Sequence, residues 1–95
     1  MLTSAKTVSK EVKSINLYPN PAQSQVSFDM PVVGRDEVLI NVLNYQGQVV
    51  KSTSMSVNGT TAKITLDVSD IPAGNYIVSV RGNLHKSAAK LVKID

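Results

Sequence analysis

The sequence predicts an all-β fold, and three observations carry that expectation. Short segments of alternating apolar and polar residues recur along the chain, Gly, Pro and Asn-Gly turn signals separate them, and no stretch holds a helical period. With 95 residues there is chain for one domain and one modest core. Such a core buries about 60–65% of the unfolded surface without metal or disulfide support.

Taken in order, residues 1–14 (MLTSAKTVSKEVKS) are rich in Ser, Thr and Lys and have no sustained apolar period. They are expected to form a flexible linker or leader, with order beginning between Val12 and Ile15. INLYPNPA then reads as a short strand closed by a turn, because Pro19 and Pro21 lack the donors a sheet interior needs. QVSFDM alternates, with Val26, Phe28 and Met30 on one face and Gln25, Ser27 and Asp29 on the other. Pro31 and the run Gly34 to Glu37 are expected to end it as a loop.

Val38 to Tyr45 is apolar on both faces apart from Asn41 and Asn44, as in a strand covered on both sides. A tight turn at Gly47 leads into a strand from Gln48 to Val57. Asn58-Gly59 is a hairpin dipeptide, since both central residues of a type I′ turn take positive φ. Ala62, Ile64, Leu66 and Val68 alternate in the strand that follows. In DIPAGNYIVSV, Ser69 and Asp70 can bond local backbone donors, Pro72 fixes φ, and Gly74 permits the reversal before Tyr76, Val78 and Val80 turn inward. RGN is a last turn, and a final strand runs to the end of the chain. Seven strands at this spacing predict a seven-stranded antiparallel immunoglobulin-like β-sandwich over residues 15–95, with an up-and-down barrel as the alternative.

Composition excludes several kinds of chemistry. There is no cysteine, hence no disulfide, thiolate metal site or thiol nucleophile, and the redox compartment stays open. The net charge of +3 comes from ten dispersed Lys and Arg against seven acids, and the four aromatics do not interleave with the basic residues. No nucleic-acid partner is therefore expected. No segment approaches the roughly 20 apolar residues of a membrane span, so direct membrane insertion is not expected either. His85 is the one histidine, beside Lys86, and reads as a solvated turn residue without a nucleophile or second ligand. Asp67 and Asp70 could share a calcium ion with loop carbonyls, but an exposed strand position and a turn cap account for them. Asn58-Gly59-Thr60 fits a glycosylation acceptor as well as a hairpin. No catalytic residue and no cofactor are expected, which leaves a binding, interaction or targeting module.

Four pieces in order, LYPNPA (Leu17 to Ala22), VLINVLNYQGQVV (Val38 to Val50), ITLDVSDIPAGNYIVSV (Ile64 to Val80) and KLVKI (Lys90 to Ile94), carry a family resemblance. Together the chain resembles the C-terminal sorting domain of type IX secretion cargo in Bacteroidetes. The resemblance implies a non-catalytic signal at the end of a larger secreted protein, recognised by the type IX machinery at the outer membrane. It implies delivery through the periplasm to the cell surface or medium. In many members a sortase-like peptidase removes the domain, at a point that would lie within Thr3 to Ser14 here. Lys90, Leu91, Val92, Lys93 and Ile94 match the terminal motif, taken as the translocon-recognition segment, and Gly74 and Tyr76 match the penultimate strand. Ile71 stands where leucine is usual, Asn75 where an apolar residue is common, and Asp95 closes the chain with an acid.

A final strand is also an edge element, expected to have unpaired backbone groups and lysines that discourage aggregation, readable by strand addition or through its charges. Leu91, Val92 and Ile94 equally suit completion of the core. Asp70, Pro72, Gly74 and Tyr76 are taken as a structural turn setting the register beneath that strand. The competing function is a carbohydrate-binding accessory domain of a secreted glycosidase, with Tyr18, Tyr45 and Tyr76 as candidate stacking residues, or a structural adhesin-type spacer.

Overall fold

The computed structural model describes residues 12–83 and 86–95. Its elements are β1 (Val12–Ser14), β2 (Gln25–Asn44), β3 (Val49–Asp67), β4 (Gly74–Arg81) and β5 (Lys86–Lys93). They form one sheet in the order β1-β5-β4-β2-β3, antiparallel except for the parallel β1–β5 pair. The all-β antiparallel expectation thus agrees with the structure, whereas the count of seven strands in a sandwich does not. Val12–Ser14, inside the stretch read as a leader, pairs with β5, and residues 1–11 lie outside the described residues.

Two expected breaks are not breaks, which accounts for most of the difference in strand number. From Val26 to Val42 every even-numbered side chain of β2 is buried except Gly34, so the inward parity runs unbroken through Pro31 and the expected Gly34–Glu37 loop. Asn58-Gly59 is not a hairpin turn. Arg35 faces Asn58 and Gly34 faces Gly59 across the β2–β3 ladder, beside a register shift between Pro31 and Gly34. Both glycines have positive φ, 68° and 111°, so the φ > 0 requirement read as a hairpin is used at a bulge within a continuous ribbon. The INLYPNPA stretch contributes only isolated bridges, Tyr18 to Ser27 and Ala22 to Lys93.

That bulge has an architectural consequence. A straight strand of β2's 20 residues would be roughly 65 Å long, yet the molecule's longest dimension is 49 Å. The ribbon therefore bends, and the sheet curls around one face. Val26, Phe28 and Met30 before the bulge and Val38, Ile40 and Val42 after it join one core with Ile64, Leu66, Val78, Val80 and Leu91. Loop residues Leu17, Ala22, Val68 and Ile71 complete that core. Burial of this kind contributes about 1.5–3 kcal/mol for each large apolar side chain.

The expected turn at Gly47 is present. The Asn44 side-chain oxygen accepts the Gln46 and Gln48 amides at 2.9 and 3.0 Å, and Gly47 takes φ 84°. Asp36, expected in a loop, is a buried inward residue of β2 that accepts the Asn83 amide at 3.1 and 3.2 Å. A Cβ on Gly82 would lie 2.6 Å from Asp36 Oδ2, which explains a glycine between β4 and the Asn83 amide.

Candidate functional site

The terminal motif forms the second half of β5 and Ile94 just beyond it, and strand geometry divides it between two faces. Leu91 and Lys93 point inward and are 0% and 5% exposed, whereas Lys90, Val92 and Ile94 point outward. Leu91 belongs to the core. The Lys93 ammonium donates to the Ile94 carbonyl at 3.1 Å, so this lysine does not guard an edge against aggregation as expected. Of the five motif residues, a docking partner can reach the side chains of Lys90, Val92 and Ile94.

The backbone edge of β5 is not open either, a second departure from the sequence reading. On one side β5 pairs with β4 over its whole length. On the other, β1 pairs in parallel with Lys86 to Ala88. Farther along, Asn20 and Ala22 act as a clasp. Asn20 Nδ2 donates to the Lys90 carbonyl and Asn20 Oδ1 accepts the Val92 amide, both at 3.0 Å. The Ala22 amide donates to the Val92 carbonyl and the Ile94 amide to the Ala22 carbonyl, both at 2.8 Å. Gln23 Nε2 donates to the Asp95 carbonyl at 3.0 Å. A carboxamide in the YPNP turn thus stands in for a missing strand. Its sequence signal was an asparagine between two prolines, read only as a turn. Tyr18-Pro19 and Asn20-Pro21 are both cis peptides, and Ala22 is fully buried below them.

The turn before β4 is held by two devices that the sequence did not separate. Tyr76 Oη donates to the Pro72 carbonyl at 2.6 Å, tying the start of β4 to the loop four residues upstream, an arrangement resembling the tyrosine corner of β-sandwiches. The Tyr76 ring lies over Gly74, within 3.7 Å of where a Cβ would be. Asp70 does not cap the turn backbone as expected. It pairs with Lys51 at 3.1 Å, and Asp67 takes the capping role by accepting the Ser69 amide at 2.9 Å and the Ser69 hydroxyl at 2.7 Å. The Ser69 hydroxyl first, then the Ser69 amide, hold the Asp67 carboxyl below its ordinary value. Asp67 thus bonds Ser69 and Asp70 pairs with Lys51, and no group of three metal-ligating side chains occurs among the described residues.

The aromatics do not form a platform. Tyr76 is buried, Tyr45 stands exposed in the β2–β3 turn, and Tyr18 bridges Ser27 at the opposite end of β2. Tyr18 Oη donates to Asp29 at 3.1 Å, and Lys63 Nζ lies 5.9 Å from the centre of its ring. His85 lies outside the described residues, as does most of the Thr3 to Ser14 stretch where cleavage was expected. A shallow open groove lined by Pro19, Pro21, Gln23 to Gln25 and Ile94 sits beside the clasp. It gathers no titratable side chain.

A family model described as the secretion system C-terminal sorting domain matches residues 16–94. No curated protein is significantly similar in sequence. Among solved structures, the chain resembles dimeric latent PorU from Porphyromonas gingivalis with a TM-score of 0.69 at 20% identity. That likeness covers 84% of this chain but only 9% of the PorU chain, so it speaks for the fold.

Proposed function

Because the chain belongs to the family of secretion system C-terminal sorting domains, we propose that it directs a larger secreted polypeptide through the type IX outer-membrane translocon. The destination is the cell surface or the medium, reached through the periplasm. The family match over residues 16–94 carries this reading, since it spans almost every described residue and includes the terminal motif. The geometry supports a recognition role without chemistry. Asp29, Asp36, Glu37, Asp67 and Asp70 engage hydroxyl, backbone or lysine partners, and the exposed motif residues Lys90, Val92 and Ile94 lie along the last strand and its end.

Recognition would use these side chains on a strand whose backbone is already paired, so side-chain docking is favoured over strand addition. The Asp70, Pro72, Gly74 and Tyr76 turn would serve as the register-setting support. Removal by a sortase-like peptidase, in the stretch ahead of the sheet, belongs to the same reading.

The test is a fusion of the chain behind an exported reporter in a type IX-competent bacterium. Deleting Lys90 to Asp95 would remove Leu91 from the core and so mix folding with recognition. The informative variant is K90E/V92D/I94D, whose side chains lie outward. The expected result is surface delivery of the parent fusion and periplasmic retention of a folded variant. Periplasmic retention of the parent fusion would refute the sorting role, and undiminished delivery of the variant would refute recognition through the terminal motif.

A further inference from the structure

The outward face of β4 and β5 carries more charge than the terminal motif accounts for. Arg81 and Lys86 are direct cross-strand partners, on the face opposite to Val80 and Ser87. Like charges set opposite each other in a ladder are destabilising. Neither is in an ion pair with a carboxylate among the described residues, where the one salt bridge is Lys51–Asp70. Glu37, the nearest acid in register on the same face of β2, accepts the Ser56 hydroxyl. Lys90 lies on this face four residues along β5 from Lys86, about 13 Å away.

Between the Arg81–Lys86 pair and Lys90 the face carries no charge. Ser79 and Ala88 pair with each other there, Ile77 and Leu43 lie half-buried at the level of Lys90, and Leu39 opposite Arg81 and Val92 beyond Lys90 are exposed. Cations set among partly exposed aliphatic groups suit a complementary protein surface, with carboxylates at its rim and apolar contacts at its centre.

We propose that this face, with the Arg81–Lys86 pair at one end and Lys90 at the other, docks an acidic surface of a protein partner during export. The proposal rests on the sorting reading above and names the chemistry of its partner. Arg81 and Lys86 thereby join the recognition surface, although they lie outside the terminal motif. Carboxylates on the partner relieve the repulsion between the two cations, which the isolated domain retains.

The test uses the full chain fused to the exported reporter in a type IX-competent bacterium. R81E/K86E keeps a like-charged cross-strand pair, so the purified variant is expected to melt within a few degrees of the parent. Surface delivery is expected to fall about tenfold or more, as for a reversed steering charge. The charge-conserving R81K/K86R is expected to keep delivery. K6E/K10E, the same change in net charge placed outside the described residues, is expected to leave delivery unchanged. Normal delivery of a folded R81E/K86E, or an equal loss in K6E/K10E, would overturn the proposal while leaving the sorting role intact. Failure of the parent fusion to reach the surface would strike at the sorting role itself. Binding of the purified chain to phosphatidylglycerol vesicles, lost in R81E/K86E, would overturn a protein partner in favour of a lipid surface.

Discussion

Substituting Asn20 by alanine should loosen the terminal strand at a single identifiable amide. Asn20 accepts the Val92 amide and donates to the Lys90 carbonyl, each at 3.0 Å. A net hydrogen bond contributes about 0.5–1.5 kcal/mol, and exposed groups that water can re-bond sit at the lower end. Losing both therefore costs about 1 kcal/mol against local opening of the strand's outer edge. That corresponds to roughly fivefold faster exchange of the Val92 amide. The Ile94 amide, bonded to the Ala22 carbonyl, should follow to a smaller extent, while the core amides of β4 keep their protection. The assay is residue-resolved hydrogen exchange by NMR on the folded chain. Asn20→Asp separates the two bonds, because a carboxylate still accepts from Val92 but cannot donate to Lys90. It should preserve Val92 protection better than alanine does. Unchanged Val92 exchange in a folded Asn20→Ala protein would refute the idea that this carboxamide substitutes for a strand.

Tyr76→Phe removes only the bond to the Pro72 carbonyl and should cost about 1 kcal/mol, a melting-temperature drop of roughly 4–8 °C for a domain of this size. Gly82→Ala places a methyl 2.6 Å from Asp36 Oδ2 and must displace the carboxylate from the Asn83 amide. A loss of about 1–3 kcal/mol in urea unfolding is expected. Phe28→Ala empties a fully buried site and should cost about 3–5 kcal/mol, a large part of a total near 5–15 kcal/mol. For Asp67 the folded carboxyl is held below its ordinary 3.8 by Ser69, so its contribution is present above that value. It is lost as pH falls through the lowered folded value. Urea titrations at pH 7 and pH 3 should show a smaller acid-induced loss for D67N than for the parent protein.

Much of the fold was legible because period-2 alternation is written along one strand at a time. Spacing alone puts Val26, Phe28 and Met30 on one face and turns Tyr76, Val78 and Val80 inward, and all are buried. The same rule, applied past Pro31, would have carried the inward register through Val32 and Asp36 to Val38. Pro31 and Gly34 signal a break there instead. Proline in a strand is tolerated where its missing donor falls at a bulge or edge, and a local signal does not say whether a sheet passes there. Gly34 and Gly59 needed positive φ as their types suggested, but only their pairing across β2 and β3 shows that the need was a bulge.

The terminal motif was visible as a string, while its two-sidedness depended on its place in the sheet. Alternation states that Lys90 and Val92 share a face and Leu91 and Lys93 share the other. It does not say which face is covered, nor that residues some 70 positions earlier close the strand's outer edge. Those facts belong to contacts between distant parts of the chain, whose partners no local pattern names. By itself the sequence determined an all-β chain, its inward alternation and its family, since these follow from local periodicity and from motifs in fixed order. Tertiary structure alone decided that β5 is held by Asn20, that β2 and β3 are continuous bent strands, and that Arg81 comes to lie opposite Lys86. Long-range pairing joins backbone groups and brings together side chains that sequence proximity leaves unrelated.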